Sequence, residues 1–394
     1  MTLPLFPVTT VGSWPRTQEL LRAFSLKHRR ELDPREFDQV ADRAVIAALR
    51  AQEHAGADLV TDGEQRRDNF YSFVADKLEG VQMMTLSEML DVVEDKRGFA
   101  RLLATLDVPA FSIRNPTCVG PIQRREPLVL DDFEFLRRHT DRPIKVTLPG
   151  PYLLTRAMWV KEVSRAVYPT KEDLGEDVVR MLREEIVELR QAGVAFIQLD
   201  EPVLTELVFT QGNTRTFMCA ALAARKDPAE ELAFAVSLIN RVVDESATPG
   251  TDRPILGLHV CRGNWSQDET TLLRGSYHPL APYFRQISVD QLVLEYATPR
   301  AGEFVPVDGK SIGLGVVNPR SPQVETAQAI VDRVNTVLQH VPPSKVFLNP
   351  DCGFATFTTR AMNSAEVAKE KIAAMAEAAA ILRGSGLGAR ASEV

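Results

Sequence analysis

Short apolar or β-branched runs alternate with long helical patterns from one end of this chain to the other, and that alternation restricts its fold more than any other feature. Strands separated by helices run parallel, because only a crossover of a dozen or more residues returns the chain to the same end of a sheet. The runs are Pro7–Gly12, Asp58–Gly63, Ile144–Pro149, Ala195–Asp200, Ile255–Cys261, Gln291–Tyr296, Ser311–Val317 and Lys345–Asn349. They number about eight, as a closed barrel requires, so the expected fold class is α/β, a (β/α)8 TIM barrel. Helix starts are read at Asp33-Pro34, Thr170, Asp227-Pro228, Ser321-Pro322 and Asn363-Ser364. The stretch between the second and third strands is far longer than one helix requires. Residues 70–143 are expected to form an insertion over the barrel mouth, with a hairpin of Val108–Ile113 and Thr117–Ile122 turning at Arg114-Asn115-Pro116. A single barrel over residues 1–384 and a flexible tail over 385–394, rich in Gly, Ser and Ala, complete the expected organisation.

Composition narrows the function classes. Among 394 residues, 44% are hydrophobic and 25% charged, with a net charge of -7, which argues against a broad basic surface for nucleic acid. The run Lys27-His28-Arg29-Arg30 reads as a solvated helix end. No stretch approaches the roughly 18 apolar residues of a membrane span, and the N-terminus runs into a strand without a leader pattern, so a cytoplasmic location is expected. The four cysteines, Cys118, Cys219, Cys261 and Cys352, are scattered, which favours metal or catalytic use over a disulfide framework.

In such a barrel the chemistry sits where the strands end. The fifth strand ends in His259-Val260-Cys261, and residues two apart in a strand face the same way, so His259 and Cys261 can grip one ion. Glu295 at the end of the sixth strand and Cys352 at the end of the eighth complete a set suited to zinc. His28, His54, His139, His278 and His340 lack matching partners and read as surface or packing residues, and Cys219 as a packing residue. A second group is acidic: Asp62, Glu64, Asp200, Glu201 and Glu206. Such carboxylates act as acid or base, hold an ammonium group, or cap a helix, the last being a serious competitor for Asp62 and Glu201. Gly12-Ser13 offers N–H and hydroxyl donors to a substrate carboxylate.

Read in order, Thr9-Thr10-Val11-Gly12-Ser13, Gly63-Glu64, Cys118-Val119, Asp200-Glu201-Pro202, His259-Val260-Cys261, Leu294-Glu295 and Asn349-Pro350-Asp351-Cys352-Gly353 resemble the C-terminal catalytic barrel of the cobalamin-independent methionine synthase family over nearly the whole chain. The resemblance implies a zinc-dependent S-methyltransferase that moves a methyl group from a methyl-folate or methyl-corrinoid donor to homocysteine, the corrinoid being carried by a partner protein. It implies His259, Cys261, Glu295 and Cys352 as zinc ligands. Gly12, Ser13, Glu64 and Asp200 would hold homocysteine, and Glu206 with Cys118 and Val119 would lie toward the donor. Glu206 and Asp351 are the candidates for proton transfer, because Arg320 stands where the family has its proton-donating histidine and arginine is a poor proton shuttle. Arg262 and Arg300 are shared with single-barrel relatives acting on coenzyme M, so a zinc thiol alkyltransferase is the second reading; a non-catalytic, zinc-stabilised barrel that binds a partner is the third.

Overall fold

The computed structural model describes residues 3–85, 88–89, 96, 114–209, 227–244, 253–264, 266, 272–358 and 361–385. Six parallel strands form its centre in chain order: β3 (Lys145–Pro149), β4 (Phe196–Asp200), β5 (Ile255–Val260), β6 (Gln291–Leu294), β7 (Ser311–Val317) and β8 (Val346–Pro350). Their residues are almost all buried, as expected of strands covered on both faces. Two narrower positions close the ring. Val8 bridges to Leu348 of β8, Thr9 to Leu59, and Val60 to Ile144 beside β3, all parallel. The amide of Thr9 donates to Leu348 at 3.0 Å, that of Leu59 to Val8 at 3.1 Å, and that of Lys145 to Val60 at 2.9 Å. The expected eight-position barrel is therefore present, with its first two strands reduced to single bridges.

Helices cover the outside with one apolar stripe each. Lys171–Gln191 buries Leu174, Val178, Met181, Leu182, Glu185 and Leu189 at helical spacing. Asp33, Thr170, Asp227 and Ser364 cap their helices as the sequence indicates. The helix placed after Ser321-Pro322 begins instead at Ala327, capped by Thr326. There, the Ser321 hydroxyl accepts from Gln323 in a tight turn, and Glu325 is drawn to the Asn318 amide and to Lys371.

The hairpin is corrected in its pairing. Arg114–Arg124 is one continuous strand, β2, and its antiparallel partner is β1, Leu78–Thr85. Val108–Ile113 lie outside the described residues. The sequence Asn115-Pro116 reads as a turn, yet a strand in a two-stranded ribbon tolerates proline, and Asn115 is held by donating to the Ala157 carbonyl at 2.6 Å. Gly80 sits at φ 75° against the backbone of Gly120 and Pro121, where a Cβ would come within 2.3 Å of a carbonyl oxygen. The pair is clasped to the barrel helices: Ser164 donates to the Cys118 carbonyl, Tyr168 accepts from Ile122, and Arg124 pairs with buried Glu185. Ser385 is the last described residue, so the expected tail lies outside the description.

Because the first two strand positions make so few ladder bonds, side chains hold the seam. Asp58 accepts from the Val8 amide at 2.9 Å and from Arg383 of the C-terminal helix at 2.7 Å, and Arg383 also donates to the carbonyls of Leu5 and Phe6. Replacing Asp58 by Ala is expected to destabilise the barrel by about 2 kcal/mol, the scale of hydrogen bonds to a charged group. Urea unfolding checks this through a lowered midpoint at unchanged slope, and an unchanged midpoint would refute the seam's dependence on Asp58.

Candidate metal centre and substrate cavity

The ends of β5 and β8 bring the proposed soft ligands together. His259, Cys261 and Cys352 are buried, and one ligand atom from each lies within 4.8 Å of the others. The His259 ring is oriented from behind: its Nδ1 faces the Val293 carbonyl at 3.3 Å, so Nδ1 carries the proton and Nε2 keeps a lone pair. Among the described residues that buried Nε2 has no hydrogen-bonding partner, which is how an imidazole ready for a cation looks. Cys352 hydrogen-bonds to Cys261 and, with His259, holds its thiol down at about 5, while Cys352 itself is raised well above the usual thiol range. One imidazole and two sulfurs, one already disposed to be thiolate, fit a thiophilic divalent metal ion.

Glu295, expected to complete this set, lies outside the three-residue group. Its carboxylate is fully buried and occupied by other partners: one oxygen accepts from Arg300 at 2.9 Å, the other from the Arg262 amide at 2.9 Å and from Asn264. Asn264 is the hub of this cluster, its carbonyl oxygen accepting from Arg300 and from Arg320, both at 2.9 Å. Arg262 is spent structurally, donating to the carbonyls of Gly275, Glu295 and Ala301 and lying over the Tyr277 ring at 3.7 Å.

A cavity opens beside the three ligands, lined also by Ser13, Glu64, Asp200, Glu206 and Asn264. Ser13 is fixed by accepting from the Ala355 amide at 3.2 Å. Glu64 has φ 54°, a left-handed conformation rare outside glycine. It is stabilised by Asp62, which accepts from the Glu64 amide, and by Arg16, which donates to the Glu64 carbonyl at 2.9 Å. Such strain is kept where it aims a side chain: one Glu64 oxygen accepts from Thr147 at 3.0 Å and the other has no partner. Gly12 makes room for it, since a Cβ there would lie 2.3 Å from that first oxygen. Burial raises Glu64 above the usual carboxylate range and lifts Asp200 to about 7. The wall opposite the metal ligands is therefore built of desolvated acids that a bound cation would hold ionised.

Other expected residues are placed elsewhere. Asp351 does not line the cavity; its Oδ1 accepts from the amides of Tyr296 and Ala297 at 2.9 and 2.8 Å, tying the ends of β6 and β8. Cys118 is buried in β2 and donates to the Gly120 carbonyl, and Val119 is exposed; neither reaches the cavity. For Glu201 the capping alternative holds, since it accepts from the amides of Tyr152 and Leu153 at the start of the helix Pro151–Met158. Cys219 lies outside the described residues. Phe70, Leu273, Thr356 and Asn264 line the cavity without having been singled out. Asn264 alone carried a signal, standing three residues after Cys261, whereas the others reach the site only through loop packing.

The sequence model of the family described as "Cobalamin-independent synthase, Catalytic domain" matches residues 6–380. A methionine synthase of Saccharolobus solfataricus is 30% identical over 387 residues, 97% of this chain and 96% of that protein. One of Pyrococcus abyssi is 29% identical over 387 residues, 97% and 94% of the two chains. A B12-independent methionine synthase from Shewanella sp. W3-18-1, solved in complex with selenomethionine, shares the fold with a TM-score of 0.71 at 22% identity, over 98% of this chain and all of that one.

The ligand geometry predicts that Cys352→Ser and His259→Ala each weaken binding of added Zn2+ by more than about a hundredfold, the range already reached when an outer partner is lost. His28→Ala, at an exposed helix end, leaves it unchanged. Competition with a chromogenic chelator measures both, and equal affinities across the three variants would remove the metal centre.

Proposed function

This chain belongs to the cobalamin-independent synthase catalytic-domain family and is a methyltransferase, and we propose on that premise that it is a zinc enzyme moving a methyl group from a methyl-folate or methyl-corrinoid donor onto the sulfur of homocysteine. The observation that carries this reading is the meeting of His259, Cys261 and Cys352 within 4.8 Å, on a cavity whose other wall presents Ser13, Glu64 and Asp200. A cytoplasmic enzyme of one barrel is proposed with it, residues 70–143 forming an insertion and 385–394 a tail; no helix among the described residues is long and apolar enough to cross a membrane.

Zinc, if held by His259, Cys261 and Cys352, would supply the positive charge that lets a thiol lose its proton to solvent near neutral pH. Glu295 is the fourth ligand proposed from the family resemblance, and Arg300 with Asn264 would give its carboxylate a satisfied seat if substrate sulfur displaced it. Without that seat a displaced carboxylate would be stranded in the interior, at a cost of several kcal/mol. Glu64 and Asp200 hold the ammonium of the amino acid, and Gly12 with Ser13 its carboxylate, so that the sulfur faces the methyl carbon in line with the departing donor. Glu206, buried on the cavity wall, is the proposed proton carrier to a donor that leaves as an anion. Asp351 is assigned instead to tying strand ends, for one of its oxygens is taken by two amides and it does not line the cavity.

The second thiol, coenzyme M, carries a sulfonate and no ammonium. Arg262 and Arg300, the cations that would suit it, are engaged by Glu295, Asn264 and backbone carbonyls, while the acids Glu64 and Asp200 face the cavity and would repel it. Zinc-edge X-ray absorption separates the readings: homocysteine is expected to add one sulfur to the metal shell and coenzyme M to leave it unchanged. A shell unaltered by homocysteine would defeat the proposal, and one unaltered by either thiol would leave a structural zinc. Asp200→Asn is expected to weaken homocysteine binding about tenfold, roughly 1.4 kcal/mol, as the loss of one charged contact does.

A further inference from the structure

The centre of the barrel holds a cation that the reaction as described does not use. Lys145, at the start of β3, is only 1% exposed, and among the described residues it forms no ion pair within 4.0 Å. A buried ammonium without a carboxylate partner is costly, and an apolar side chain of the same length would fill the space with less penalty. Its Nζ donates instead to Oε1 of Gln198 at 3.0 Å, and it lies 5.3 Å from the centre of the Phe196 ring.

Gln198 continues the line toward the cavity. Its Nε2 donates to Asp200 Oδ1 at 2.8 Å and to the Val11 carbonyl at 3.0 Å. Every bonding direction in this chain is fixed by chemistry: an ammonium only donates, so it must face the amide oxygen, and both groups on the far side only accept, so they must face the amide nitrogen. Both N–H groups of the amide are thereby used, and it cannot rotate without stranding a buried group. A cation on its oxygen also strengthens what its N–H gives to Asp200, because hydrogen bonds in series polarise one another. Burial pushes Lys145 down to about 7, and Asp200 and Glu64 are the charges that draw it back toward the protonated form.

We propose that Lys145 is a positioning residue for the amino group of the thiol substrate: acting through Gln198, it holds Asp200 oriented into the cavity as an acceptor for that ammonium. The inference rests on the reading that homocysteine is the thiol and that Asp200 receives its amine. It requires that the effect of Lys145 be felt only by thiols that carry an amino group. A lysine that merely supports the barrel would affect all thiols alike.

The test compares homocysteine with 4-mercaptobutanoate, the same chain without the amine, by calorimetric titration of the zinc-loaded full-length protein. Wild type is expected to bind homocysteine the more tightly. Lys145→Met should weaken homocysteine about tenfold and leave 4-mercaptobutanoate within about twofold. Gln198→Glu serves as the second variant, since it gives Lys145 an ion partner and so favours folding while stripping Asp200 of its donor; it should weaken homocysteine selectively as well. Equal weakening of both thiols in either variant, or no change in both, overturns the role of Lys145. Wild type that binds the two thiols equally removes the ammonium seat on Asp200 and this inference with it, whereas wild type that binds neither overturns the methyl-transfer reading itself.

Discussion

Closure of a parallel ring is the constraint on which the rest depends. Parallel strands all end on the same rim, so residues far apart in the chain are delivered to one mouth without any need for their loops to be long. β5 brings His259 and Cys261 there, β8 brings Cys352, and β4 brings Asp200. The ring is weakest where Val8, Thr9, Leu59 and Val60 make single bridges, and there it is reinforced by Asp58 and Arg383. The same seam carries Ser13 and Glu64, so one wall of the cavity rests on the least regular part of the barrel.

The mouth is a place of concentrated and opposed costs. Glu64, Asp200, Glu201, Asp351 and Glu295 are all buried, and burial, helped by neighbouring negative charges, raises the first four above the usual carboxylate range. The protein sorts them by partner. Glu201 is satisfied by backbone amides and Glu295 by Arg300 and Asn264, while Asp351 gives one oxygen to two amides and keeps the other without a hydrogen-bonding partner among the described residues. Glu64 keeps an unpartnered oxygen, and Asp200 is held from one side only, by Gln198. Glu64 and Asp200 line the cavity, where a bound cation would offset their desolvation.

Residue periodicity made the barrel legible. The strand positions follow from apolar runs that no surface element would carry, and the caps at Asp33, Thr170, Asp227 and Ser364 from side chains that satisfy helix-start amides. The pairing of β2 was not legible, because Asn115-Pro116 is a turn signal locally and only the approach of Leu78–Thr85 and the Ala157 carbonyl makes extension the better state. His259, Cys261 and Cys352 were legible as a group because strand alternation and strand ends place them without knowledge of packing. Glu295 and Asp351 have the same address in the sequence, yet one turns to an arginine cluster and the other to two amides.

The sequence by itself thus determined the class of fold, the rim on which the candidate site lies and the residue types there that could hold a soft metal ion, since these depend on periodicity and on the intrinsic chemistry of side chains. Only the tertiary structure decided which buried carboxylates are spent on the frame and which remain open to a ligand, and that a lysine at the barrel axis is linked to Asp200 through Gln198. The physical reason is that a carboxylate's role is set by the donors around it, and those donors, backbone amides and arginines from other strands, become its neighbours only when the ring closes.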